Sequence, residues 1–232
     1  MTPYYQDEYV RLYCGDCAVV LPQLERHDLL LTDPPYGLGR NRKGMLEQGL
    51  RGKGGKGSYG RDYGEFFWDS ERIPQWLIDQ AVAKCSKAII FGGNYYKLPS
   101  AKCWLVWDKE QSSDFADCEL AWTNLDCAVK RYRHLWSGLC RKHLEQRFHP
   151  TQKPHDVMSW ALGLAGDIET VLDPFAGSGT TLVAAKLRNL KATGIEREER
   201  YCEIAATRLG QEVLPLFKDE ISSDFGLPKC VE

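Results

Sequence analysis

No apolar run in the 232 residues approaches the roughly 18 that a membrane-spanning helix needs, so a membrane protein is not expected. The opening stretch, MTPYYQDEYVRLY, carries acids and no apolar core, which is unlike a secretory signal. A charge imbalance is missing as well. Thirty Lys and Arg stand against 32 Asp and Glu, so the net charge of −2 gives no overall sign of a polyanion partner. There is no internal repeat. The five histidines (His27, His134, His143, His149, His155) show neither H-E-x-x-H nor H-x-E spacing, which argues against a metallohydrolase or a zinc deaminase. No G-x-S-x-G nucleophile turn and no G-K-[ST] phosphate loop occurs. Cysteine is not scarce, but nine is an odd number, and without a secretory signal it does not read as a disulfide framework. Buried reduced thiols are the plainer reading for most of them.

Hydrophobic residues make up 43% and charged residues 27%, ordinary for one globular domain spanning 1–232. Short β-rich apolar runs alternate with helical patterns, which predicts an α/β protein with a largely parallel, doubly wound sheet. Seven strands are expected, at Val10–Cys14, Asp28–Thr32, Ala88–Phe91, Cys103–Trp107, Cys118–Trp122, Thr170–Leu172 and Ala192–Ile195. Helices are expected at Ile73–Cys85, His155–Ala165, Gly179–Leu190 and Arg197–Leu209. Two segments break the alternation. Gly37–Gly64 has ten glycines in 28 residues and reads as a flexible loop at about 37–64. Asp108–Gln152 is polar and basic with interleaved aromatics, and reads as an insertion on the sheet. Charge is clustered in the same two places. Seven basic residues lie between Arg40 and Arg61 against the one acid Glu47, and seven more between Lys130 and Lys153. Such clustering in a near-neutral chain points to polyanion-facing surfaces. Arg40, Arg42, Lys43, Arg51, Lys53, Lys56, Arg131, Arg133, Arg141 and Lys142 are the candidates for nucleic-acid contact.

Three motifs carry the chemistry. Asp33-Pro34-Pro35-Tyr36 follows the apolar run Leu29–Leu31, so it closes a strand at the sheet edge where ligands bind in doubly wound folds. Two prolines fix two φ angles and remove two N–H groups. The rigid turn then offers acceptors, the Asp33 carboxylate and the Pro34 carbonyl, suited to the two protons of an aromatic amine. Tyr36 supplies a flat face for an extruded base. The second motif, Asp173-Pro174-Phe175-Ala176-Gly177-Ser178-Gly179-Thr180-Thr181, is a strand end, a Gly-rich turn and a helix start. Leu182 occupies the third glycine position of the dinucleotide fingerprint, so a nucleoside with a carboxylate fits better than one with phosphates. The third is Glu196, 19 residues after Gly177 at the end of the next strand, where a carboxylate grips a ribose diol.

Together with His149-Pro150-Thr151-Gln152-Lys153-Pro154, these motifs resemble the β-class DNA amino-methyltransferases, in which the D-P-P-Y motif precedes the Gly-rich one, as it does here. The resemblance runs over about 10–210. It implies a Rossmann-like S-adenosylmethionine-dependent fold and methyl transfer to an exocyclic amine of duplex DNA with the target base flipped out. Adenine N6 is favoured over cytosine N4 because Asp33 opens the motif. It implies that Asp33, Pro34, Pro35 and Tyr36 hold amine and base. The cofactor residues would be Asp16, Cys17, Asp33, Pro174, Asp173, Phe175, Ala176, Gly177, Ser178, Gly179, Thr180, Thr181, Glu196 and Arg197. Lys153 would help hold the cofactor carboxylate, and 108–147 would be a small target-recognition insertion. A homodimer and a cytoplasmic setting, bacterial or phage-infected, are further expectations. Methylation of RNA, and an inert DNA-binding module that keeps the fold, are the weaker alternatives. Cys14-x-x-Cys17 has zinc-compatible spacing with Cys140-x-x-His143, but Asp16 between the first two cysteines belongs to the expected cofactor segment, so no metal is expected.

Overall fold

The computed structural model describes residues 1–37, 72–110, 116–137, 140–141 and 152–211. Its sheet is built from β1 (Tyr5–Gln6), β2 (Val10–Cys14), β3 (His27–Thr32), β4 (Cys85–Phe91), β5 (Cys103–Asp108), β6 (Cys118–Thr123), β7 (Lys130–Arg133), β10 (Thr170–Asp173) and β11 (Lys191–Glu196). A two-residue pair, β8 (Trp136–Ser137) with β9 (Cys140–Arg141), stands apart. The helices are α1 (Cys17–Val20), α2 (Gln75–Ala83), α3 (His155–Leu164), α4 (Thr180–Leu187) and α5 (Glu199–Gly210).

All seven expected strands are present, but among the described residues the sheet has nine strands in the order β1-β2-β11-β10-β3-β4-β6-β5-β7. The two additions are edge strands. Tyr5–Gln6 is only two residues long, and Lys-Arg-Tyr-Arg at 130–133 has no apolar alternation because an edge strand open to solvent needs none. The strands β6 and β7 also bring residues 118–123 and 130–133 of the expected insertion into the main sheet.

Each central strand is buried on both faces. Leu29 and Leu31 pack into one core with Val171, Ile89 and Leu12, beneath α3, α4 and α5. Leu30 packs into the other with Leu172, Ile90 and Tyr13, beneath α1 and α2. Adjacent side chains on a strand point to opposite faces, so a continuous Leu-Leu-Leu run serves both layers. The result is a three-layer α/β/α sandwich. From β2 through β11, β10, β3 and β4 all neighbours are parallel. The chain runs outward in one direction from β3 to β4 and in the other from β10 to β11, so strand order reverses between β3 and β10. Ligands bind beyond the carboxyl ends of strands at such a reversal. Asp33 follows the last residue of β3, and Asp173 is the last residue of β10.

Among the described residues, no helix is long and apolar enough to cross a membrane. Arg40, Arg42, Lys43, Arg51, Lys53, Lys56 and Lys142 lie outside the described residues, as do most of the 37–64 loop and the segment from His149 to Thr151.

Candidate active site

The two strand-end turns are joined directly. Thr32 Oγ1, the last side chain of β3, donates to Asp173 Oδ1 at 2.7 Å in the buried sheet. The same oxygen accepts from Phe175 N–H at 3.1 Å, which holds the start of the Gly-rich turn. Burial raises Asp173 to about 6, and its hydrogen bonds with Thr181, Thr32 and Phe175 pull against that rise. A single segment, 152–153, then reaches both turns. Buried Gln152 accepts at Oε1 from Ser178 Oγ at 3.3 Å, and buried Lys153 sends its ammonium to Asp33 Oδ2 at 2.6 Å.

Around Asp33 the contacts are dense. Tyr36 O–H donates to Asp33 Oδ1, and Lys153 Nζ lies 3.3 Å from the Tyr36 hydroxyl. Glu119 of β6 approaches the same ammonium, its Oε2 at 3.0 Å, while its Oε1 pairs with Lys109 at 2.5 Å. Because β6 runs antiparallel to β4, its beginning lies at the rim where the parallel strands end, and Phe91 pairs with Ala121 there. Burial raises Asp33, with Lys153 opposing and Glu119 adding to the rise. Burial opposes the charge on Lys153, but the two carboxylates outweigh it and its pKa is raised. Burial likewise opposes the charge on Glu119, yet Lys153 and Lys109 bring it down to about 2. The cluster therefore holds alternating, paired charges. Glu119 and Lys109 were not expected from sequence. Inside Cys-Glu-Leu-Ala-Trp-Thr, a Glu at a strand start carries no local sign of function, and its partner is distant in the chain.

The Tyr36 ring stacks on Tyr95, centroids 4.9 Å apart and planes 25° from parallel. It lies over Gly92, whose φ is +64°, and a Cβ there would come within 2.0 Å of the ring. Tyr96 O–H donates to the Pro35 carbonyl at 2.6 Å and fixes the back of the turn.

On the other side of the reversal, Glu196 closes β11 beside Cys14 of β2. Its Oε2 accepts from Gly177 N–H and its Oε1 from Glu198 N–H, both at 2.8 Å. A carboxylate oxygen has two lone pairs, so each retains acceptor capacity. Burial raises Glu196, and the backbone bonds counter it. Gly177 has φ +53°, and a Cβ there would meet nothing within 4 Å, so open space lies over the turn. Asp16 caps α1 through Ala18 N–H at 2.8 Å, one residue beyond Gly15, which itself bonds the Glu196 carbonyl at 2.9 Å. Cys17 is buried and Arg197 exposed. Arg208 braces the turn from α5, donating to the Ser178 carbonyl at 2.6 Å and to Thr180 Oγ1 at 3.2 Å. Asp33, Tyr36, Lys153, Asp173 and the Gly-rich turn thus share one rim, with Glu196 and Asp16 along it. Arg131 and Arg133 lie apart on the edge strand β7, where Arg133 pairs with Asp108 at 3.4 Å and Glu110 at 3.3 Å.

A family model described as a DNA methylase, of the N6/N4 type, matches residues 106–207. The type II methyltransferase M.ScaI of Streptomyces caespitosus is 25% identical over 263 residues, covering 93% of this chain and 86% of its own. Over these stretches the chain is similar to the N6-adenine/N4-cytosine DNA amino-methyltransferases. Another relative, the type II methyltransferase M2.DpnII of Streptococcus pneumoniae, is also 25% identical, over 90% of this chain and 93% of its own. Solved structures share the fold. The PvuII cytosine-N4-specific DNA methyltransferase has a TM-score of 0.60 at 15% identity, covering 95% of this chain and 92% of its own. The M1.HpyAVI–SAM complex has a TM-score of 0.54 at 19% identity, covering 86% and 99%.

Proposed function

We propose that the chain transfers the methyl group of S-adenosylmethionine to an exocyclic amino nitrogen of a base in duplex DNA, adenine N6. The observation that supports this most is the hydrogen bond joining β3 to Asp173, with the D-P-P-Y turn and the Gly-rich turn flanking one strand-order reversal. The M1.HpyAVI complex contains the cofactor, and type II relatives such as M.ScaI and M2.DpnII are methyltransferases.

The residues along the rim fit that cofactor. Open space over Gly177 leaves room for a ligand against the backbone, and the spare lone pairs of Glu196 suit a ribose diol. We assign Glu196, Arg197, Asp16 and Cys17 to the nucleoside end. Asp173, Pro174, Phe175, Ala176, Gly177, Ser178, Gly179, Thr180 and Thr181 take the amino-acid end, and Lys153 lies at the junction with Asp33. When bound, the cofactor supplies a methyl group on a sulfonium, which is already a good leaving group.

The protein's own task is alignment. The amino nitrogen of an aromatic base is conjugated with its ring and is a poor nucleophile. Asp33 and the Pro34 carbonyl would accept its two protons and direct the nitrogen lone pair out of the base plane. Tyr36, held against Tyr95, would stack on the extruded base, a contact worth roughly 1–3 kcal/mol. Asp33 need not be a strong base, because a nitrogen that has gained a methyl group becomes acidic and sheds its proton afterwards. In the resembled family a leading Asp goes with adenine, which is why adenine is favoured here. The basic residues of 40–56 and 131–142 would contact phosphates, and 108–147 would carry target recognition.

Nucleoside digestion and mass spectrometry of DNA from a methylation-free host expressing the chain tests the proposal. N6-methyladenine is expected. N4-methylcytosine alone would overturn the adenine assignment, and no modified base would overturn the activity.

A further inference from the structure

Both oxygens of Asp33 are already engaged by the protein itself, Oδ1 by the Tyr36 hydroxyl and Oδ2 by the Lys153 ammonium. A target amine that binds Asp33 must therefore share or take over the acceptor that Lys153 holds. The Lys153 ammonium donates to Asp33 Oδ2 and to the Tyr36 hydroxyl, while Glu119 Oε2, 3.0 Å away, is buried and accepts no hydrogen bond among the described residues, so an acceptor stands open beside the ammonium. Lys153 is buried, with a side-chain exposure of 7%, so leaving it without a carboxylate would be costly. Glu119 meets that need. Its Oε2 is already 3.0 Å away, and Lys109 secures its outer oxygen at 2.5 Å.

We propose that Glu119 is a positioning residue that provides a second station for the Lys153 ammonium, 3.0 Å away, so that Lys153 yields Asp33 Oδ2 to the incoming amine without losing its counter-charge. The inference rests on the assignment of Asp33 to the target amine. With Glu119 in place, the four groups Lys109, Glu119, Lys153 and Asp33 remain neutral in sum while the ammonium shifts. Without it, Asp33 is the one carboxylate beside Lys153 among the described residues, and the amine competes with an ion pair.

The test is Glu119→Gln, assayed by methyl incorporation into unmethylated plasmid DNA and by calorimetric titration with S-adenosylmethionine. A charge-assisted bond of this kind is worth enough for kcat to fall about tenfold or more, with cofactor affinity held within about twofold. The pH profile gives a second signature. Asp33 is faced by Lys153, Glu119, Tyr36 and, across the strand pair, Asp173. Lys153 is faced by Asp33, Glu119 and the Tyr36 hydroxyl. The Glu119 charge raises both Asp33 and Lys153, so both limbs of the profile should move to lower pH in the variant. Should E119Q not fold, Glu119→Asp sets the carboxylate one methylene back and should lower kcat with cofactor affinity kept. Wild-type kcat and pH limbs in a folded variant would overturn the inference, as would loss of cofactor affinity in step with kcat. A wild-type protein that methylates nothing would instead sink the proposed function.

Discussion

Thr32 and Asp173, 141 positions apart, share a 2.7 Å hydrogen bond between the ends of two adjacent parallel strands. It aligns the turn that begins at Asp33 with the turn that begins at Pro174. Thr32→Val keeps the shape of the side chain and removes the donor. The buried Asp173 oxygen then loses a partner, at a cost of about 1–3 kcal/mol. A lowered melting temperature should report it, with secondary structure by circular dichroism unchanged.

Asp173 also makes stability depend on pH. Its pKa rises from 3.8 to about 6 because burial disfavours the carboxylate. The folded state therefore binds this proton more tightly than the unfolded state. Its contribution to stability is fully present below about 4 and is lost as pH rises to about 6, in all roughly 3 kcal/mol. Asp173→Asn cannot titrate. Denaturant unfolding across this range should show wild type losing stability relative to the variant from pH 4 to 6, and a constant difference above 6.

Gly92 makes room for Tyr36. Alanine there would place a Cβ 2.0 Å from the ring on a backbone with φ +64°, so Tyr36 must move. Gly92→Ala should lower methyl incorporation into DNA at least about tenfold, as expected when a stacking contact of 1–3 kcal/mol is misplaced. Cofactor affinity by calorimetry should change little, since Gly92 lies against Tyr36, which is proposed to stack on the base.

Glu196→Gln acts at the opposite end. The amide nitrogen has no acceptor to offer, and one of Gly177 N–H and Glu198 N–H would face it. Affinity for S-adenosylmethionine should fall about tenfold or more. Saturating cofactor should restore much of the rate.

Much of this was legible in the chain because apolar runs and strand-end motifs are local. Val10–Cys14 was placed to the residue, and the other six expected strands were placed within a few residues. The helix expected at Ile73–Cys85 begins at Gln75, because Pro74 is extended at φ −55° and ψ 138°, and it ends before Cys85 opens β4. The strand at Lys130–Arg133 has no signature in the sequence because its order comes from pairing with β5 rather than from a buried face. The roles of Glu119 and Thr32 are not legible in the sequence for a different reason. Each acts through a partner more than 30 positions away, Lys153 and Asp173, and only the sheet brings them together. The resemblance implies that Lys153 holds the cofactor carboxylate, while its nearest partners in the structure are Asp33 and Glu119.

The proposed function divides the labour along one rim, with the amine at Asp33 and the cofactor at the Gly-rich turn. Asp33→Ala separates the two in a single comparison of methyl-transfer rate and cofactor affinity. S-adenosylmethionine binding is expected to stay close to wild type, with the rate reduced at least about a hundredfold. A variant that still methylates DNA at the wild-type rate would contradict it.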